Sequence, residues 1–261
     1  DGYKLVEAPH LGMEHQSAVA YGNHYLKGYL GMDRSGTGLG MQFDYIIIHE
    51  SGHEWFGNNI TARDSADMWI HEGFTTYTEA VYVECLRGYD AGQQYVNGLK
   101  ANVDNDGPII GPYGVNKEGS GDMYDKGALF LNTLRHIVND DEKWWKMILK
   151  YSESFHNKII DTDTVIAFFN TETGMNLTPI FNQYLKKVNI PDLSIRKNKG
   201  KLEYKWSDSE TDFNMPIDIK VKDKSTRIQP GNSWTDSKMK INSLGDVYVD
   251  TTAFYIDLSK E

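Results

Sequence analysis

The chain reads as an α+β protein: a mostly helical region after residue 44, then a small antiparallel β-sandwich-like module. Two observations predict this. The apolar run Phe43-Asp44-Tyr45-Ile46-Ile47-Ile48 leads straight into the polar group His49-Glu50-Ser51-Gly52-His53, as in a buried helix with a polar end. After Ile190-Pro191 the texture changes to alternation, at 201–206, 217–222 and 246–250. Period-two patterning about every fifteen residues is that of an antiparallel sheet with one covered face. The reading divides the chain into residues 1–192 and 193–261, with the boundary near Asp192.

The elements follow in order. Tyr3-Lys4-Leu5-Val6 and Ser17-Ala18-Val19-Ala20-Tyr21 are aromatic and β-branched runs that suggest strands. Gly31, Gly36, Gly38 and Gly40 mark a loop before the helix that carries His49 and His53. Residues 73–87 form a second helix, in which Cys85, the single cysteine, is expected to be buried as a small apolar side chain. A glycine- and proline-rich loop covers 104–121. Asp122 is placed to cap the next helix, with Tyr124 in its first turn and Asp125 near its positive end. Trp144 and Trp145 open an apolar helix and belong to the core. A helix over 164–171 stops at Gly174, and Thr178 with Pro179 caps and opens one that runs to about Val188.

The chemistry concentrates in the first two helices. His49 and His53 are four apart, so their side chains lie about 40° apart around a helix and one turn up, where both can meet one ion. Glu50 follows the first of them directly and can reach a water on the ion's open side. Glu72 comes 19 positions after His53, far enough to sit on a neighbouring helix and supply a third ligand. Two imidazoles, one carboxylate and one open position describe a catalytic site for one Zn2+ per chain, whereas structural sites are closed and thiolate-rich. An HxxxH pair alone also arises as two satisfied polar histidines; the apolar run before it and Glu72 after it favour the metal. Glu79, seven positions after Glu72, shares its helix face. It is either a partner for a ligand histidine or a surface glutamate.

Four motifs in order carry a resemblance: Gly12-Met13-Glu14-His15-Gln16, His49-Glu50-Ser51-Gly52-His53, Glu72 after the intervening residues 54–71, and Tyr124-Asp125-Lys126-Gly127. In these the chain resembles the gluzincin aminopeptidases of the aminopeptidase N family, zinc metallopeptidases that also include an epoxide hydrolase. The resemblance continues through the region of Trp206 and Pro216. It implies a thermolysin-like zinc-peptidase domain followed by a β-domain, and hydrolysis of the N-terminal bond of peptides with a free N-terminus. It assigns Glu50 as base, Tyr124 as donor to the oxyanion, Glu14 as holder of the substrate's α-amine and Met13 as a border of the first side-chain pocket. Two departures stand out. His15 occupies the usual Asn position, and the family's large N-terminal β-domain is missing, so a longer full-length protein is expected. Other hydrolases on the same site, an endopeptidase or an epoxide hydrolase, stay open, as does a zinc-bearing scaffold without turnover. Intact Glu50 and Tyr124 count against the scaffold.

Composition sets outer limits. A net charge of −10 argues against a nucleic-acid partner. No stretch approaches the roughly 18 apolar residues that span a bilayer. The charge is uneven: residues 1–194 carry −11 and residues 195–261 carry +1. An acidic region would attract a peptide's terminal ammonium, or it is simply a solvated acidic surface.

Overall fold

The computed structural model describes residues 2–261. The chain opens with three short strands, β1 (Leu5–Glu7), β2 (Gly12–Met13) and β3 (Val19–Tyr21), in the order β1-β3-β2. β3 pairs parallel with β1 and antiparallel with β2. A glycine-punctuated loop then leads to helix α1 (Tyr45–Gly52), whose N-terminus is capped by the Asp44 carboxylate accepting from the Ile47 N–H. Strand β4 (Ile60–Ala62) pairs parallel with β5 (Lys158–Ile160).

Helix α2 (Trp69–Arg87) is the central element, and Gly88 at φ 92° ends it and turns the chain into α3 (Tyr89–Gly98). Helix α4 (Asp125–Val138) crosses α2 with backbone nearly on backbone. A Cβ added at Gly127 would lie 2.8 Å from the Gly73 Cα, so both positions need glycine for the helices to approach. Helices α5 (Asp141–Ser154), α6 (Thr162–Thr173) and α7 (Thr178–Lys186) complete the helical layer, with α6 stopping at a left-handed Gly174 as expected.

The β-rich end has two sheets. Strands β6 (Asp192–Asn198), β7 (Lys201–Ser207), β10 (Thr235–Lys240) and β12 (Asp257–Lys260) form one, in the order β10-β7-β6-β12. Strands β8 (Ile217–Val221), β9 (Lys224–Ile228) and β11 (Val247–Val249) form the other. Leu202, Tyr204 and Trp206 of β7 alternate inward, as period two requires. One hydrophobic core runs without a break from Trp69, Phe130 and Phe181 to Leu193, Trp206 and Ile217.

Four expectations are corrected. Cys85 is exposed, because it lies two residues past buried Val83 and hence about 200° around α2 from the core face. Asp122 does not cap α4; its carboxylate accepts from the backbone N–H groups of Asp104 and Asn105, and so closes the preceding loop. Tyr124 precedes α4 rather than sitting in its first turn. Thr178 is the first residue of α7 and Leu177 its flank, so Pro179 opens the helix without a hydroxyl cap before it. In addition β12 runs parallel to β6, so that sheet is mixed rather than purely antiparallel.

Candidate active site

α1 and α2 bring three side chains together that the chain separates. His49, His53 and Glu72 are buried, and their ligand atoms lie within 4.8 Å of one another. The Glu72 Oε2 is 3.4 Å from His49 Nε2 and 3.3 Å from His53 Nε2.

The far side of each ring is fixed by a hydrogen bond. His53 Nδ1 is 2.9 Å from the Phe56 carbonyl oxygen, which can only accept, so Nδ1 carries the proton and Nε2 presents its lone pair. Thr75 Oγ1 lies 3.1 Å from the same nitrogen. His49 Nδ1 donates to Glu79 Oε1 at 2.8 Å, and Glu79 is fully buried, its other oxygen accepting from the Tyr95 hydroxyl at 2.6 Å. Of the two readings of Glu79, the histidine partner is therefore the one realised. Tyr45 OH stands 3.3 Å from His49 Nδ1, one helical turn before it.

The electrostatics favour a cation here. Burial pulls the His49 imidazole down, but the Glu72 and Glu79 carboxylates on either side of the ring outweigh it and push the group up to about 10. Burial would raise Glu72; the two histidines more than reverse this and hold it well below the ordinary carboxylate range. Glu72 Oε2 is buried without a hydrogen-bond partner. A metal that displaces any Nε2 proton would meet both imidazole nitrogens and the unpartnered Glu72 oxygen at one point, a donor set that suits zinc.

Glu50 is buried on α1, and its Oε2 also has no hydrogen-bond partner. Burial raises its carboxyl to about 7, with the two histidines opposing and Glu14 and Glu72 adding. Gly12 of β2 packs against it: any side chain at that position would overlap Glu50 Oε1. The strand can pass directly over the carboxylate only because residue 12 is glycine.

Glu14, Glu50 and His53 also converge, each with an atom within 4.8 Å of the others. The Glu14 carbonyl is held by Asn58 Nδ2 at 2.8 Å, so the segment is pinned to the turn after α1. Met13 is 38% exposed and stays off the lining of the cavity beside His49. His15 is exposed and leaves the β2–β3 pairing of Gly12 and Met13 intact.

Tyr124 stacks on the His49 ring, with centroids 6.0 Å apart and planes at 28°. Burial, then the nearby Glu72 carboxylate, keeps its phenol protonated far above the ordinary range. The neighbours of Tyr124 explain its position. Lys126 is buried and donates to Asn105 Oδ1 and to the Lys187 and Val188 carbonyls, which ties α4 to the end of α7. Gly127 sets the α2–α4 approach.

Sequence reasoning missed Arg34, Tyr45 and Tyr95. Arg34 donates to Asp125 at 2.6 Å and to the Tyr45 hydroxyl at 3.1 Å, and shares with His49, Glu50 and Tyr124 a cavity of about 360 Å³. Only for Tyr45 was there a local signal, its spacing of four before His49.

Fold and donor set together define a zinc metallopeptidase scaffold. The chain belongs to peptidase family M1, whose domain matches residues 5–184. Aminopeptidase B of Rattus norvegicus is 27% identical over 204 residues, 64% of this chain and 30% of that protein. Tricorn protease-interacting factor F2 of Thermoplasma volcanium is 20% identical over 261 residues, 92% of this chain and 33% of that protein. The chain thus spans about a third of the length of these relatives. Among solved structures, the Legionella pneumophila aminopeptidase A complex with aspartic acid superposes with a TM-score of 0.71 at 14% identity, over 96% of this chain and 30% of that one. An M1 zinc metallopeptidase from Deinococcus radiodurans superposes with a TM-score of 0.57 at 21% identity, over 72% of this chain and 39% of that one. No helix among the described residues is long and apolar enough to cross a membrane.

Proposed function

We propose that this chain carries the catalytic machinery of a zinc aminopeptidase that removes the N-terminal residue of peptides, with one Zn2+ held by His49, His53 and Glu72. The observation that carries this reading is the double convergence on α1: His49, His53 and Glu72 as ligands, and Glu14 with Glu50 and His53 beside them. When bound, zinc would polarise the scissile carbonyl and acidify a water. Glu50, buried and with one oxygen unpaired, takes the proton of the attacking water and passes it to the leaving amine. Tyr124, kept protonated, donates to the oxygen on which negative charge develops. Glu14 pairs with the substrate's ammonium and so sets the cut one residue in; Met13 borders the space for that residue. The family membership supports a thermolysin-like arrangement of residues 1–192, and the shared burial of strand residues from both sheets in one core supports a sandwich-like module over 193–261.

The test compares alanyl p-nitroanilide with an internally quenched, N-acetylated peptide, alongside zinc analysis. Cleavage of the anilide and sparing of the blocked peptide are expected, with Glu14→Ala abolishing the difference. Equal cleavage of the blocked peptide would make the chain an endopeptidase. Tyr124→Phe should lower kcat by roughly 10²–10³ with KM little changed; an effect on KM alone would remove the phenol from the chemistry.

A further inference from the structure

Among the described residues, Arg34 is the permanently charged cation that lines the cavity beside His49, Glu50 and Tyr124, in a region of net charge −11. Its guanidinium is clamped in place. It lies 5.9 Å from the Tyr29 ring centroid and 5.3 Å from that of Tyr45, donates to Tyr45 OH, and pairs with Asp125. A guanidinium has five N–H donors, and among the described residues its side chain donates to Tyr45 and Asp125. Asp125 is buried at 7% side-chain exposure, while the Arg34 side chain is 26% exposed. The loop holding it is tied by hydrogen bonds: Asp33 accepts from Ser35 N and Oγ, and Asn102 donates to the Arg34 carbonyl.

The placement relative to Glu14 is what gives the cation a meaning. Glu50 belongs to both groups: it converges with Glu14 and His53, and it lines the cavity together with Arg34, His10 and Tyr29, while Glu14 and His53 do not line that cavity. On the aminopeptidase reading, on which this inference rests, a substrate has its ammonium at Glu14 and its scissile carbonyl beside Glu50. The residue after the cut then enters the cavity of Arg34, which at about 360 Å³ is within the usual size of a small-ligand pocket.

We propose that Arg34 is a specificity residue that binds a carboxylate on the residue following the scissile bond. That carboxylate is either the C-terminus of a dipeptide or an acidic side chain. A preformed planar fork, held near two aromatic rings and already oriented by Tyr45 and Asp125, suits a carboxylate geometrically as well as electrostatically.

The experiment measures kcat/KM of the chain on Ala-Ala and Ala-Ala amide, and on Ala-Asp amide and Ala-Asn amide, with alanyl p-nitroanilide in parallel. The expected result is a preference of about tenfold or more for a member bearing the carboxylate, in the first pair for a C-terminal carboxylate, in the second for a side chain. In Arg34→Gln that acid-to-neutral ratio should fall to about one, and in Arg34→Lys, which keeps charge and loses the fork, it should be intermediate. In a Glu50→Gln background, calorimetry of Ala-Ala and its amide reads the same preference as dissociation constants. A ratio near one in the unaltered chain, or one unchanged by Arg34→Gln, overturns the inference. So does a fall shared equally by acid and neutral substrates, which would make Arg34 a structural tie. Failure to cleave any free-amine substrate instead overturns the aminopeptidase reading, and this inference with it.

Discussion

Helix α2 carries a buried carboxylate near its start and a partly buried one near its end, and their surroundings are opposite. Glu84, close to the C-terminus, receives two hydrogen bonds from Arg135, at 2.6 and 2.9 Å. The same guanidinium makes two more to Asp141 and lies against the Tyr89 and Trp145 rings. Glu72, at the other end, has no basic side chain of its own; it faces two imidazole nitrogens, and one of its oxygens is buried without a hydrogen bond. A buried charge whose partners are all supplied by the fold is finished and serves structure. A buried charge left partly unmatched beside two imidazoles fits the metal-ligand role proposed for it. The contrast separates two clusters that the sequence presents as equally polar.

The sharpest way to break the comparison is at Glu50. Glu50→Gln should cut turnover on alanyl p-nitroanilide by on the order of 10²–10⁴, with zinc content by elemental analysis and thermal stability unchanged. Retained turnover would mean that the unmatched cluster is not catalytic. Arg135→Met tests the matched end. It leaves Glu84 partly buried without its cation, and should cost about 3 kcal/mol, read as a lower midpoint of urea unfolding. Zinc bound per folded chain should stay the same. A wild-type midpoint would show that the matched cluster contributes nothing to stability. The smallest expected effect is at Glu79, which links the two kinds of behaviour because it is both fully buried and fully bonded. Glu79→Gln keeps an acceptor for the His49 Nδ1 proton but removes the charge that makes the ring a better donor to metal. Zinc affinity, measured by competition with a chelator, should weaken by roughly 10–100-fold. No change would reduce Glu79 to a packing residue.

The local pattern of the chain was enough for whatever depends on residues a few positions apart. The four-residue step from His49 to His53, the neighbouring Glu50, the stop at Gly174 and the alternation of β7 are periodicities of one helix or one strand. The family motifs also located Glu72 and Tyr124, though not the crossing at Gly73 and Gly127 that brings their helices together. Tertiary structure alone decided the rest. Which of the possible partners Glu79 takes depends on a residue 30 positions away, and the Arg34–Asp125 pair spans 91. Asp122 had the right local chemistry for a cap, yet two backbone donors of the preceding loop claimed it. Cys85 was misjudged because its surroundings on α2 are mixed, and only the packing of neighbouring helices determines which face is covered. Spacing dictates which side of an element a residue occupies; what stands opposite that side is set by contacts between distant segments, which no local period encodes.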